Sequence, residues 1–346
     1  MPDFLRGVAR IMSALLLAFL LTLIVIELAH ASPRETMTAL FGGAFGSASA
    51  VADTLTKTIP LLLTGLGVAL AFRVRLWNIG GEGQFLVGAL AASAMGAYTL
   101  DGLPAPLLIP LVLLAGSIAG AAWAGLAGWM RVARGVPEVI STIMLNFVAA
   151  QLLSYLVHGP MQERSHAQPA SKALPSNATL PTIWPGTTLH AGLLLALIAA
   201  VVVAITLSQT RFGFALRVVG ANPKAARVAG IDVNRTRLTA MLWSGALCGL
   251  AGAVELSGII GTLYENYAPG YGFAAVAVAL LGRLNPYGII ASALFFGALT
   301  AGSSSMERAA GVSANLSYVV QAVTLLVLLG FQWIRWERKT AALPAV

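Results

Sequence analysis

The sequence predicts an all-α, polytopic integral membrane protein of about ten transmembrane helices, some of them broken, and three observations carry that prediction. The 346 residues are 58% hydrophobic and only 10% charged, which leaves too little polar surface to coat a water-soluble globule. The apolar residues gather in long runs, without the ten-residue alternation of an outer-membrane barrel, and backbone groups in hydrocarbon must be paired inside a helix or a closed barrel. A mean hydropathy of +0.83 stands beside 36 glycines and 16 prolines with no G-x-y period, a composition of closely packed, locally broken membrane helices.

In chain order, the runs place spans at about 11–29, 58–76, 84–100, 107–130, 139–157, 191–208, 238–258, 271–283, 288–302 and 315–334. The first begins with Arg6 and Arg10 and ends in Ala29-His30-Ala31, like a signal peptide. Its apolar stretch is longer than a signal h-region, so it is expected to stay as an uncleaved helix. Ten crossings place both termini in the cytoplasm. Of the 21 basic residues, only Arg34, Lys57, Arg164, Lys172 and Arg308 then fall outside, as the positive-inside rule requires. The formal charge of +8 is thereby absorbed by topology and calls for no nucleic acid. Within one transmembrane domain covering 1–346, the Pro- and Ser-containing segment 158–190 becomes the longest external loop and 209–237 the main cytoplasmic one. The spans at 271–283 and 288–302 are shorter than the ~20 residues that cross hydrocarbon; they are either broken or tilted helices, or their boundaries lie elsewhere.

Chemistry concentrates in a few places. Asn78-Ile79-Gly80-Gly81-Glu82-Gly83-Gln84 sets three glycines among an amide, a carboxylate and a second amide. Such a segment can unwind and line a solute pathway at membrane depth, or form a tight cytoplasmic turn with a solvated Glu82. Glu255 and Glu27 lie near the outer ends of their helices, where a carboxylate either marks a solute path or reaches the interface. The 211–237 segment interleaves Arg217, Lys224 and Arg227 with apolar residues. Asn222 before Pro223 starts a helix of about two turns and Gly230 closes it, a unit that can dock on a partner or lie on lipid headgroups. The Gly116-x-x-x-Gly120 and Gly245-x-x-x-Gly249 pairs read as packing faces.

Enzyme readings find little support. The four histidines fall at or beyond outer helix ends, and no His-Glu-x-x-His pattern or intramembrane Asp pair occurs. Cys248 is alone, so no disulfide or multi-cysteine metal site can be built within the chain. Without G-x-x-x-x-G-K-[ST] there is no phosphate-binding loop, so active transport must borrow its energy.

Two segments together, Phe72-Arg73-Val74-Arg75-Leu76-Trp77-Asn78-Ile79-Gly80-Gly81-Glu82-Gly83-Gln84 and Glu138-Val139-Ile140-Ser141-Thr142-Ile143-Met144-Leu145-Asn146-Phe147, resemble the permease subunit of ABC importers for nucleosides and simple sugars. Arg217 through Ile231 is similar to that family's cytoplasmic loop, and Gly270-Tyr271-Gly272-Phe273 through Arg283 to its late membrane motif. The resemblance runs in order from about 55 to 330. It implies a ten-helix permease of the group that includes ribose and branched-chain amino acid importers, in the cytoplasmic (inner) membrane. It also implies a cytoplasmic ATPase that hydrolyses ATP with Mg, a second permease subunit and an extracytoplasmic binding protein. Asn78, Glu82, Gln84 and Glu255 would then belong to the translocation pathway, and Arg217, Asn222, Pro223, Arg227 and Gly230 to the coupling helix seated in the ATPase. Gly81 and Ala274 stand where the family commonly has a larger apolar and a polar residue. The alternative is an ion-coupled secondary transporter or channel for a small polar solute.

Overall fold

The computed structural model describes residues 32–164, 168–265, 267 and 270–310, together with 13, 16, 17, 20, 21, 23, 24, 26, 27, 319, 322, 323, 326 and 327. The spans expected at 11–29 and 315–334 lie mostly outside the described residues. Among those described, the chain is helical and carries only isolated β-bridges. Among the described residues, six helices are long and apolar enough to cross a membrane. The chain divides into two compact units, 1–54 with 295–346, and 55–294.

The first unit holds α1, Pro33–Phe45, which was not among the expected spans. Its start signal is plain: the Ser32 hydroxyl accepts from the Glu35 N–H at 3.4 Å and Pro33 occupies the first turn. Leu40, Ile26 and Met306 form the buried apolar cluster of this unit. A Cβ on Gly302 would stand 2.4 Å from the Leu40 carbonyl oxygen, so glycine sets that close approach.

The second unit contains most of α2, Ala48–Arg73, and then α3, Gly81–Ser93, which continues as a π-helical turn over Ala94–Thr99. The helices α4, Ala105–Arg134, α5, Glu138–Val157, and α6, Gly192–Gln209, follow. Two short helices come next, α7, Arg211–Ala221, and α8, Pro223–Val228. The long helix α9, Val233–Glu255, ends in a second π turn, Leu256–Ile260. Last are α10, Tyr271–Leu281, and α11, Pro286–Ala310, whose second half belongs to the first unit.

Two expected boundaries need correction. The helix expected at 58–76 begins at Ala48, because the Ser47 hydroxyl accepts from the Ala50 N–H at 3.1 Å and starts it ten residues early. Lys57, assigned to an outer loop, is therefore inside a helix. The short span expected at 288–302 is the 25-residue α11, long enough to cross; its neighbour α10, with 11 residues, is a half-length helix.

The centre of this unit is a glycine seam. The two G-x-x-x-G pairs face each other: a Cβ on Gly120 would meet the Gly245 carbonyl oxygen at 2.3 Å, and one on Gly249 the Gly116 oxygen at 2.2 Å. Helix α3 joins the same seam, since a Cβ on Gly88 would lie 2.2 Å from the Gly249 oxygen. Backbones this close gain dispersion contact that apolar side chains cannot supply in a lipid solvent. At the end of the unit rich in arginine, side chains lock the turns. Arg73 donates from Nη2 to the Leu284 carbonyl at 2.7 Å, and Arg75 to that of Ala221 at 3.1 Å. At the opposite end, the 158–190 segment is stitched along 257–263 by Ser171 N–H to the Leu263 oxygen at 2.8 Å, Leu174 N–H to the Gly261 oxygen at 2.7 Å and Leu180 N–H to the Ser257 oxygen at 2.8 Å.

Candidate functional site

After Arg73 the chain turns back into the unit, and α3 starts from its interior. Asn146, eight residues into α5, donates to the Ile79 carbonyl at 2.9 Å and accepts from the Gly83 N–H at 2.8 Å. Asn78 reaches Ser244, eleven residues into α9, at 2.8 Å. At 1.5 Å per residue these partners lie about 12 and 16 Å along their helices. Asn78 and Gln84 also form a reciprocal amide pair, Nδ2 to Oε1 at 3.0 Å and Nε2 to Oδ1 at 2.9 Å. Asn78 Oδ1 accepts from the Gly80 N–H as well, at 3.0 Å. The residues expected to line a pathway are thus buried and spent on one another and on the unwound backbone.

Glu82 has a different partner. Helix α10 also starts inside the unit, and its N-terminus abuts that of α3; a Cβ on Gly272 would lie 2.0 Å from the Glu82 nitrogen. The Glu82 carboxylate accepts from the Gly270 N–H at 2.9 Å and the Gly272 N–H at 2.6 Å. Those N–H groups have no partner within their own helix. Two helix N-termini, each with a partial positive charge, therefore meet at one carboxylate that is only 6% exposed. This is a discontinuous-helix junction, in which Glu82 on the first turn of α3 caps the N-terminus of α10. The solvated-turn reading of 78–84 does not fit, because Asn78, Gly80, Gly81, Glu82, Gly83 and Gln84 are all buried.

Glu255 sits beyond this junction, towards the end that carries the 158–190 segment. It is 1% exposed, faces Lys57 Nζ at 3.8 Å and accepts from the Tyr271 hydroxyl at 3.5 Å. Lys57 also lies over the Tyr271 ring, 5.9 Å from its centroid. Phe85 packs against both Tyr267 and Tyr271, with ring centroids 6.0 and 5.9 Å away. Glu27 lies in the other unit and is exposed. A groove of about 880 Å³ opens elsewhere, lined among others by Leu195, Ile198, Val202, Trp243 and Leu247; none of the expected pathway residues lines it.

In the basic segment, Asn222 caps α8 by accepting from the Lys224 and Ala225 N–H groups at 2.9 and 3.2 Å, Pro223 takes the first position and Gly230 has a φ of +76°. Arg227 and Val228 are exposed, Val228 at 92%. Arg217 is partly committed elsewhere: its guanidinium donates to the Leu207 carbonyl and closes the last turn of α6.

Sequence reasoning missed Ser244, Asn146, Glu138 and Lys57 as members of these networks. Glu138 accepts from the Trp77 N–H at 3.4 Å and pairs with Arg131 at 3.1 Å, fixing the entry to the unwound segment. For Asn146 and Glu138 a signal existed, polar residues in an otherwise apolar run; for Ser244 there was none.

With this geometry in view, residues 50–329 match the protein family described as "Branched-chain amino acid transport system / permease component". The chain is 39% identical over 314 residues to the glucose ABC transporter permease protein TsgB13 of Haloferax volcanii, covering 88% of this chain and 80% of that one. It is 35% identical over 324 residues to the nucleoside ABC transporter permease protein NupB of Lactococcus lactis, covering 91% and 88%. To the guanosine ABC transporter permease protein NupP of Bacillus subtilis it is 36% identical over 302 residues, covering 86% of each chain.

Proposed function

This chain belongs to the branched-chain amino acid transport system permease family, and from that premise we propose that, as the membrane-spanning subunit of an ABC importer, it moves a nucleoside or related simple sugar across the cytoplasmic membrane. The observation that carries the reading is the unbroken family match over 50–329. It takes in both halves of the Glu82 junction and the whole of α7 and α8. Similar relatives are named for glucose, nucleosides and guanosine, solutes that share a hydroxylated ring.

In this reading the chain has no ATP site of its own. A cytoplasmic ATPase hydrolyses ATP with Mg and engages the exposed face of α8, with Asn222, Pro223 and Gly230 holding that helix in shape and Arg227 facing the ATPase. An extracytoplasmic protein delivers the solute to the end bearing 158–190, and a second permease subunit completes the path. Asn78, Glu82 and Gln84 brace the broken helices beside the path, while Glu255 lies on it.

The test is transport by the purified complex in proteoliposomes, with the binding protein added outside and labelled guanosine, uridine or glucose as solute. Uptake that requires enclosed ATP and a co-purifying ATPase supports the reading. Uptake driven by a proton or sodium gradient without ATP would sink it in favour of an ion-coupled transporter.

A further inference from the structure

Glu82 and Glu255, two of the three buried carboxylates among the described residues of the 55–294 unit, are held very differently. Glu82 is saturated by short contacts of 2.6 and 2.9 Å to backbone N–H groups. Glu255 has only a 3.5 Å contact from Tyr271 and a 3.8 Å approach from Lys57, both on Oε1, and its Oε2 has no partner at all. These distances exceed those of well-formed hydrogen bonds. Glu255 does not stand alone in this respect. Of the six buried side-chain polar atoms without a partner among the described residues, four gather at this end of the unit: Glu255 Oε2, Ser257 Oγ, His190 Nε2 and Ser93 Oγ. Ser93 directly precedes one π turn, Glu255 precedes the other and Ser257 lies within it, while the His190 ring rests where a Cβ on Gly258 would be 2.3 Å away. Buried polar atoms are ordinarily paired, and π turns concentrate at functional sites.

We propose that Glu255 and Lys57, with the Tyr271 hydroxyl, form a binding site for adjacent hydroxyls on the sugar ring of the solute. The proposal rests on the reading of the solute as a nucleoside or simple sugar. Glu255 supplies a free acceptor oxygen, Lys57 a donor, and Tyr271 a group that does both, which together match a neutral polyol. An anionic solute would meet the Glu255 charge, a cationic one the Lys57 charge, and an apolar one would leave both unpaired. Lys57 is the member that reaches the surface, 34% exposed against 1% for Glu255. A charged amine at that position cannot face hydrocarbon, so its open side faces water or another subunit. Movement of the flexible Lys57 side chain admits the hydroxyls to Oε2.

The experiment compares uptake of uridine and of 2′,3′-dideoxyuridine by the complete transporter in proteoliposomes, for the unaltered chain, Glu255→Gln and Lys57→Gln, each normalised to folded complex. The same binding protein is used throughout, so its own preference cancels when variant and parent ratios are compared. Glu255→Gln should cut uridine uptake about tenfold while changing dideoxyuridine uptake less than twofold, collapsing the ratio between the two. Lys57→Gln should move the ratio in the same direction and serves alone if Glu255→Gln does not assemble. A ratio equal to the parent's in the assembled variants overturns the site while leaving the nucleoside reading in place. No import of uridine, guanosine or glucose by the unaltered complex overturns that reading, and the site with it.

Discussion

At the scale of single residues, the Glu82 carboxylate holds the N-terminus of α10. Replacing Glu82 with Ala leaves the N–H groups of Gly270 and Gly272 without an acceptor, at about 1–3 kcal/mol each. Glu82→Ala should therefore lower the thermal stability of detergent-solubilised protein and its uptake together. Glu82→Gln should keep part of both, since its single amide oxygen can serve one N–H. Uptake lost with full stability would show instead that Glu82 meets solute. His190 offers a pH test. It is fully buried at the head of α6, its Nδ1 accepts from the Gly192 N–H at 3.1 Å, and burial pushes its pKa down to about 4. An unfolded histidine titrates near 6.5, so stability is full above that pH and declines as pH falls towards 4, by up to about 3 kcal/mol. His190→Gln should flatten the fall of melting temperature between pH 7 and 4.5; an unchanged slope would contradict the assignment. The three glycines and three polar groups of 78–84 could be read from sequence as unwound backbone, because that pattern exists to satisfy freed N–H and C=O groups. That Glu82 serves a helix 190 residues away could not be read, since the donors it accepts from are backbone N–H groups and carry no residue signature.

At the scale of elements, the glycine pairs on α4 and α9 were legible as packing faces, and the structure sets them against each other. Gly249→Ala should destabilise the protein by about 1–3 kcal/mol, because the new methyl would overlap the Gly116 carbonyl 2.2 Å away and the backbones must part. Thermal unfolding in detergent checks this. Helix α8 was equally legible from Asn222-Pro223 and Gly230, because caps act locally. The role of Arg217 on α7 was less legible, for its guanidinium binds the end of α6. Arg227→Glu should thus abolish co-purification of the ATPase with little change in melting temperature, whereas Arg217→Glu should lower the melting temperature itself. Similar losses of stability in both would mean that α8 is merely a structural turn. Half-helix α10 was visible as a short run, but α11 looked short only because Ser303, Ser304, Ser305 and Glu307 dilute its second half.

At the scale of the whole molecule, charge distribution carries the orientation. Among the described residues of the 55–294 unit, Arg73, Arg75, Arg131, Arg134, Arg211 and Arg283 fall at or just beyond helix ends on one side, and the 158–190 segment on the other. A cysteine introduced at Ser176, which is exposed, in a Cys248→Ser background should react with an impermeant maleimide added to intact spheroplasts. Labelling only after permeabilisation would invert the topology.

The Glu82 junction also sets a timetable for biosynthesis. The carboxylate leaves the ribosome about 190 residues before the N–H groups it must serve, which at 5–20 residues per second is roughly 10–40 s of translation. During that interval α3 carries a buried acid without its partners, an expensive guest in lipid. The nascent chain must keep α3 in the insertion machinery or in contact with water until Gly270 and Gly272 arrive. Chains arrested before residue 270 should consequently be short-lived in the cell, marked for proteolysis by one unanswered carboxylate.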